Sequence, residues 1–374
     1  MSVGLEAYPS RFWAYVAIAV LSLLLLAVLM RDHPMRQLRQ ELLNRRGRVF
    51  FPRRFGVERT KRFARSCMCG VAVIAVVYSL YFITLGKTQS SDNHDHMIPY
   101  SLNGGKDLQL DTSNCRIDVY DGMDNQAMFF QMPTIQAFHS IVPGSIMEFY
   151  PTIGVQRDVG SRPDVKYYGL RGLTSCRWLL DPITSGETFE QDGKTEMPGW
   201  KYVDTRNGFD IWENQYFIPM GFCYDSYITR EEYDRVSEDN RNLLLLKTMV
   251  LDDEQVLRYG DILNHFEEID SVAYTQEGYF ADCLARRSMA CSTFERDNSG
   301  FTATISTDKD RLVFFSVPYE GGWTATVNGE PAQIEQVNVG FMAVRVPEGE
   351  STIRFDYETP GLKLGACVTA GAFL

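Results

Sequence analysis

The sequence lacks any excess of positive charge. Its 374 residues carry 37 Lys+Arg against 48 Asp+Glu, a formal net charge of −11. Such an acidic balance repels phosphate and excludes a plain nucleic-acid binder. The chain also lacks the glycine repeat of collagen, the cysteine density of a disulfide scaffold and the apolar poverty of a disordered chain, since 45% of its residues are hydrophobic. Catalytic signatures are missing too. There is no G-x-G-x-x-G, no nucleophile elbow and no H-E-x-x-H. Gly86-Lys87-Thr88 has Tyr81 where a phosphate loop needs a glycine. The carboxylates are scattered, so spacing names no acid/base pair. Asp92, His94 and His96 have no third or fourth ligand type fixed nearby, and the expectation is a solvated loop rather than a metal site. His139 beside Phe138 reads as a packed strand-end residue rather than a general base. The sequence therefore names no catalytic residue, no metal ligand and no cofactor.

What is present is unevenly spread. Residues 12–30 contain no charge, and neither do residues 68–86. At about 1.5 Å per residue each run reaches roughly 28 Å, the thickness of a bilayer core. The expected order is an outside N-terminus at 1–11, a transmembrane helix at 12–30, a cytoplasmic loop at 31–66 and a second helix at 67–86. The first run is too long for a signal peptide, and no small-x-small site follows it. Between Arg31 and Arg65 stand 12 Lys/Arg and 3 Asp/Glu. The positive-inside rule makes this block cytoplasmic and puts everything after Gly86 outside. Its arginines also suit anionic lipid headgroups, so membrane lipid is the first expected partner. Residues 361–374 begin like a third span, with Lys363 placed to snorkel, and read as the start of a truncated transmembrane helix.

The outside part divides into an α/β region at 87–290 and a small β-sandwich at 291–360. The fold class is thus membrane α-helical spans plus an α+β extracellular region ending in a β-sandwich. In the first part, residues 116–120, 127–130, 176–180, 209–213 and 221–224 read as strands. Residues 143–150, 167–174 and 240–251 read as helices, and Thr229 with Glu232 forms a capping-box pattern. From residue 301 the apolar period becomes two, giving strands at 301–306, 311–317, 323–327, 333–337, 341–346 and 351–357. Asn328-Gly329 suits a type I′ hairpin. Five cysteines fall outside: Cys115, Cys176, Cys223, Cys283 and Cys291. Cys283 and Cys291 are close enough in sequence to close a small loop. The odd count favours buried apolar cysteines instead.

Several stretches form a recognisable set. These are Pro318-Tyr319-Glu320-Gly321-Gly322-Trp323, then Asn328-Gly329, then Gly340-Phe341, then Pro360-Gly361 with Gly365. Further upstream lie Tyr168-Gly169-Leu170-Arg171-Gly172 and Trp212-Glu213-Asn214-Gln215-Tyr216. Together they resemble the C-terminal end of the YfhO family of bacterial membrane proteins. That resemblance implies a type-C glycosyltransferase-like protein of the bacterial cell membrane, multi-pass, with a large extracellular region before the last span. Its members are thought to transfer sugar from a polyprenyl-phosphate donor to a cell-envelope polymer such as teichoic acid. Type-C enzymes carry their catalytic acid on the first outside loop between the first two of many spans. Here the outside N-terminus holds only Glu6, so no catalytic residue carries over and the chain reads as a C-terminal part.

Two functions follow. One is a segment of a membrane glycosyltransferase. The alternative is a non-enzymatic, membrane-anchored carbohydrate-binding or assembly module partnering such an enzyme. A sensor with the basic loop as output is disfavoured, because 35 residues are too few for a signalling domain. Tyr319 and Trp323 flank the Glu320-Gly-Gly loop, and aromatic faces stack on sugar rings, which makes them candidate sugar contacts. The competing role of Trp323 is a core anchor, since its alternation with Ala325 and Val327 points it inward.

Overall fold

The computed structural model describes residues 13, 15–24, 57–89, 105–122, 125–138, 140–156, 160–183 and 188–373. Asp92, His94, His96, His139 and most of the basic loop lie outside the described residues. The chain divides into two compact units, Met1–His94 and Asp95–Leu374.

In the first unit, α1 (Tyr15–Leu24) and α2 (Val57–Gln89) are both apolar. Tyr15 of α1 meets Tyr78 and Phe82 of α2, with ring centroids 6.3 and 5.6 Å apart. Within α2, Arg65–Gly86 is long and apolar enough to cross a membrane. Val71, Val73, Val76, Val77 and Leu80 are exposed on it, an apolar surface that water tolerates poorly. The helix begins at Val57, so helical structure extends back into the arginine-rich stretch that reads as loop in the sequence. The described part of the first uncharged run, Tyr15–Leu24, is helical but short of a full span.

In the second unit, β1 (Arg116–Val119) pairs in parallel with β2 (Cys176–Pro182). Two more strands, β3 (Trp200–Arg206) and β4 (Phe209–Asn214), complete a sheet in the order β1-β2-β4-β3. Between β1 and β2 lie the helices α3 (Gln126–Phe129), α4 (Gly144–Thr152) and α5 (Gly169–Leu173). Residues 127–130, read as a strand, thus belong to a helical turn. The short run Ala-Met-Phe-Phe has no period to distinguish the two states, and Asn125 in left-handed backbone starts the helix. Then come β5 (Phe222–Cys223), β6 (Ser226–Thr229), α6 (Arg230–Arg235) and α7 (Glu238–Lys247). The Thr229 capping box forms as expected, with Thr229 Oγ accepting from Glu232 N at 3.2 Å. The expected helix at 240–251 ends at Lys247, because β7 (Met249–Leu251) peels off to pair with β6. Helix α8 (Asp253–Tyr259) opens with a second capping box, Asp252 and Gln255. It is followed by β8 (Asn264–His265) and α9 (Gln276–Ser288), both absent from the sequence reading.

The C-terminal part is β-rich. One antiparallel sheet contains β9 (Thr293–Arg296), β10 (Gly300–Thr307), β12 (Trp323–Val327), β13 (Glu330–Ala332) and β16 (Gly349–Tyr357), in the order β9-β10-β16-β12-β13. A second contains β11 (Arg311–Pro318), β14 (Glu335–Val337), β15 (Phe341–Val346) and β5, in the order β14-β15-β11-β5. Facing side chains of the two sheets, among them Phe301, Ile305, Val313, Phe315, Val344, Ile353 and Phe355, share one core. The Asn328-Gly329 turn has positive φ at both residues, as a type I′ hairpin requires.

Strand β5 comes from residues 222–223, so the second sheet is completed across the boundary drawn at 290/291. That sheet is also covered on its outer face. Leu312, Phe314, Phe341 and Ala343 pack into the large core shared with α4, α5 and α7. This is why β11 reads as an unbroken apolar run, Leu-Val-Phe-Phe, where a half-exposed strand would alternate. A final helix, α10 (Leu362–Phe373), exposes Leu362, Leu364 and Val368.

Candidate functional site

The site is built where β1 meets the C-terminal sheets. Arg116, the first residue of β1, reaches across to β11. Its Nη1 donates to the Thr174 carbonyl at 2.7 Å and to Ser316 Oγ at 2.8 Å, while Nη2 donates to the Ser316 carbonyl at 2.8 Å. Beside it opens a cleft of about 330 Å³, at the small end of ligand pockets. Its walls include Cys115, Arg116, Met220, Arg296, the 297–300 turn, Phe301, Trp323 and Tyr357.

Two glycines shape this cleft. In the 297–300 turn, Asp297 Oδ1 accepts from Ser299 N at 2.7 Å and Gly300 N at 2.8 Å. A Cβ on Gly300 would lie 1.8 Å from the Phe355 carbonyl oxygen, so only glycine lets β10 lie against β16 there. A Cβ on Gly322 would lie 2.4 Å from the Glu358 carbonyl oxygen. The glycine of the Pro-Tyr-x-x-Gly-Trp turn thus allows the close approach that sets Trp323 against Tyr357, ring centroids 5.0 Å apart. Trp323 also meets Phe301 at 5.8 Å and Phe355 at 6.2 Å. It is half-buried, packing on the core between the sheets while lining the cleft. Tyr319 packs on the same core and donates its backbone N–H to the Gly340 carbonyl at 3.0 Å. The structure therefore brings Trp323 to the cleft wall and leaves Tyr319 out of it.

The charges around the cleft are unbalanced. Asp297 is bound to Arg354 at 2.5 Å, which together with the turn N–H groups holds its carboxyl well below the usual carboxylate range. Arg354 is shared with Asp356. By contrast, Arg116 and Arg296 have no carboxylate partner among the described residues. Arg296 Nη2 donates only to the Thr112 carbonyl, at 3.3 Å. Loss of water around Arg116 first, with the charge of Arg296 acting in the same direction, lowers its guanidinium to about 10. Burial lowers Arg296 as well. Two arginines thus face one concavity without a counter-ion. Neither was singled out by the sequence reading. An isolated arginine in a strand carries no local signal, although the Asp-Asn-Ser-Gly run at 297–300 does announce the turn.

Cys115, Cys176, Cys223, Cys283 and Cys291 are all buried and free, so the small loop between Cys283 and Cys291 is not closed. Burial pushes the Cys115 thiol beside the cleft up to about 12, which leaves it a poor nucleophile. Among the described residues no group of three or more His, Cys, Asp or Glu side chains is arranged to hold a metal ion.

Residues 265–369 match the model of a family described as bacterial membrane protein YfhO. Over that segment the chain is similar to the YfhO family. The match takes in α9, the strands from β9 to β16 and most of α10. It includes Arg296, Asp297, Trp323 and Tyr357, and Arg116 lies before it. A curated protein of Bacillus subtilis (strain 168), named uncharacterized protein YfhO, is 25% identical over 112 residues. That stretch is 29% of this chain and 13% of the relative's length. No solved structure matches.

Proposed function

We propose that this chain acts at the outer face of a bacterial membrane as the C-terminal part of a multi-pass, type-C glycosyltransferase-like protein. In this reading α1 and α2 are spans and the arginine-rich block between them is cytoplasmic. Residues 87–360 are extracellular and present an acceptor to a catalytic centre on a loop elsewhere in the assembly. The donor is a polyprenyl-phosphate sugar, and the acceptor is a cell-envelope polymer such as teichoic acid. The observation that carries the proposal is the family match across the β-rich region, joined in one chain to a helix of spanning length. Membranes from cells with and without the gene would be supplied with a polyprenyl-phosphate sugar labelled in the sugar. Label entering envelope polymer only when the gene is present supports transfer. Equal incorporation in both contradicts it.

A second reading has its own support. Asp297, the carboxylate on the cleft wall, is committed to Arg354, so among the described residues lining the cleft there is no free acid for catalysis. This favours a membrane-anchored carbohydrate-binding or assembly module that serves a separate transferase. The DNA upstream of the Met1 codon separates the two. A continuous frame encoding many further apolar spans supports the transferase, and a ribosome-binding site directly before Met1 supports the module.

A further inference from the structure

We infer that the cleft between β1 and the C-terminal sheets binds an anionic sugar, its ring against Trp323 and Tyr357 and its phosphate or carboxylate between Arg116 and Arg296. The assignment goes beyond the transfer reading, because the cleft would serve a transferase and a binding module equally.

Three features of the cleft carry it. The first is charge. Two guanidinium groups face one concavity, and the one carboxylate on its described wall, Asp297, is already paired with Arg354. Arg116 is partly withdrawn from water beside a second cation, an arrangement that an anion joining the two would relieve. Arg116 spends its Nη1 hydrogens and one from Nη2 on Thr174 and Ser316, which fixes the group rigidly and leaves donors over. A rigid guanidinium loses little freedom on binding and suits bidentate contact with phosphate or carboxylate. The second feature is the aromatic pair. Trp323 is held at one end by Phe301 and Phe355, and it meets Tyr357 at a 57° tilt, so the two rings form a corner rather than a closed stack. A preset aromatic corner offers the apolar face of a sugar ring a surface that needs no rearrangement. The third is size and polarity. The volume of about 330 Å³ suits a single sugar unit, and the exposed 297–300 turn offers Asn298 and Ser299 to ring hydroxyls.

The test uses the full chain in detergent and calorimetric titration with five probes: glucose 1-phosphate, galacturonic acid, methyl glucoside, inorganic phosphate and uridine monophosphate. Glucose 1-phosphate and galacturonic acid separate a phosphate from a carboxylate source of charge, and binding of either supports the inference. Methyl glucoside and inorganic phosphate are each expected to bind at least about tenfold more weakly, because each makes only half of the contacts. Arg296→Gln should weaken the better anionic sugar about tenfold while leaving the melting temperature and circular dichroism unchanged, since Arg296 is exposed and makes one long hydrogen bond. Tyr357→Leu, a second variant away from Arg116, should weaken it as well. The inference is overturned if neither anionic sugar binds, if Arg296→Gln binds it as the parent does, or if methyl glucoside binds equally well. Preference for uridine monophosphate would make this a nucleotide cleft and also overturn it. None of these results alters the membrane labelling experiment, so the two proposals fail separately.

Discussion

The two halves of the second unit are held together by different means. The C-terminal sheets are joined by apolar side chains that alternate along their strands, with Phe301, Phe315 and Phe355 in mutual ring contact. The sheet around β1 and β2 adds a buried ion pair to its apolar core. Asp118 on β1 and Arg171 on α5 are both almost fully buried and 3.0 Å apart. Arg171 also donates to the carbonyls of Pro163 and Asp164, at 2.7 and 2.8 Å. Gln136 Nε2 donates to Asp118 and to the Val119 carbonyl. Between the two C-terminal sheets one apolar group can be exchanged for another of like size. Neither Asp118 nor Arg171 can be lost without stranding the other's charge.

That contrast predicts a ranking of losses. Arg171→Met leaves Asp118 buried without its cation and should cost about 3–5 kcal/mol in chemical denaturation. Adding Asp118→Leu should recover much of that loss, and a double variant as unstable as the single one would break the comparison. Trp323→Ala should cost less, about 2 kcal/mol, because the side chain is half-buried at the edge of its core. A loss as large as that of Arg171→Met would move Trp323 into the core and away from the cleft.

The smallest effect depends on pH. Asp181 on β2 is buried, receives the Phe189 N–H at 2.9 Å and lies opposite Asp210 in the ladder. Burial first, and then the charges of Asp210 and Asp121, raise its carboxyl to about 6. A carboxyl raised in the folded state opposes folding when ionised, so its penalty is full above pH 6. The penalty fades as pH falls toward the ordinary carboxylate value. Asp181→Asn should therefore stabilise the protein by about 1 kcal/mol at pH 7.5 and by nothing at pH 4. A constant difference across that range would remove ionisation from the explanation.

The same contrast explains what could be read in advance. Period-two alternation, Asn328-Gly329 and the Pro-Tyr-x-x-Gly-Trp turn are local, and they located strands such as Trp323–Val327 and Phe341–Val346 to the residue. The Arg116 bridge to Ser316 joins positions 200 apart in sequence, and nothing near either one announces it. Strand β5 is two residues long and acquires its identity only by pairing with Val313 and Phe314. Strand β3 escaped because only Trp200 of its seven residues is buried, which leaves an exposed edge without an apolar period. Helix α8, however, carried a readable signal in Asp252 and Gln255. Of the residues lining the candidate cleft, the sequence reading named Trp323 and missed Tyr357 and both arginines.

The outward orientation of the β-rich unit is the central claim, and thiol labelling addresses it most directly. Cys115, Cys176, Cys223, Cys283 and Cys291 are too buried to react, so the probe is an introduced one: Glu330→Cys, on the exposed β12–β13 hairpin. Intact cells would be treated with a membrane-impermeant maleimide, with the parent chain as the control for Cys67, Cys69 and Cys367. The account predicts that Glu330→Cys is labelled in intact cells well above the parent. Labelling that appears only after the membrane is opened would place the cleft on the cytoplasmic side and contradict it.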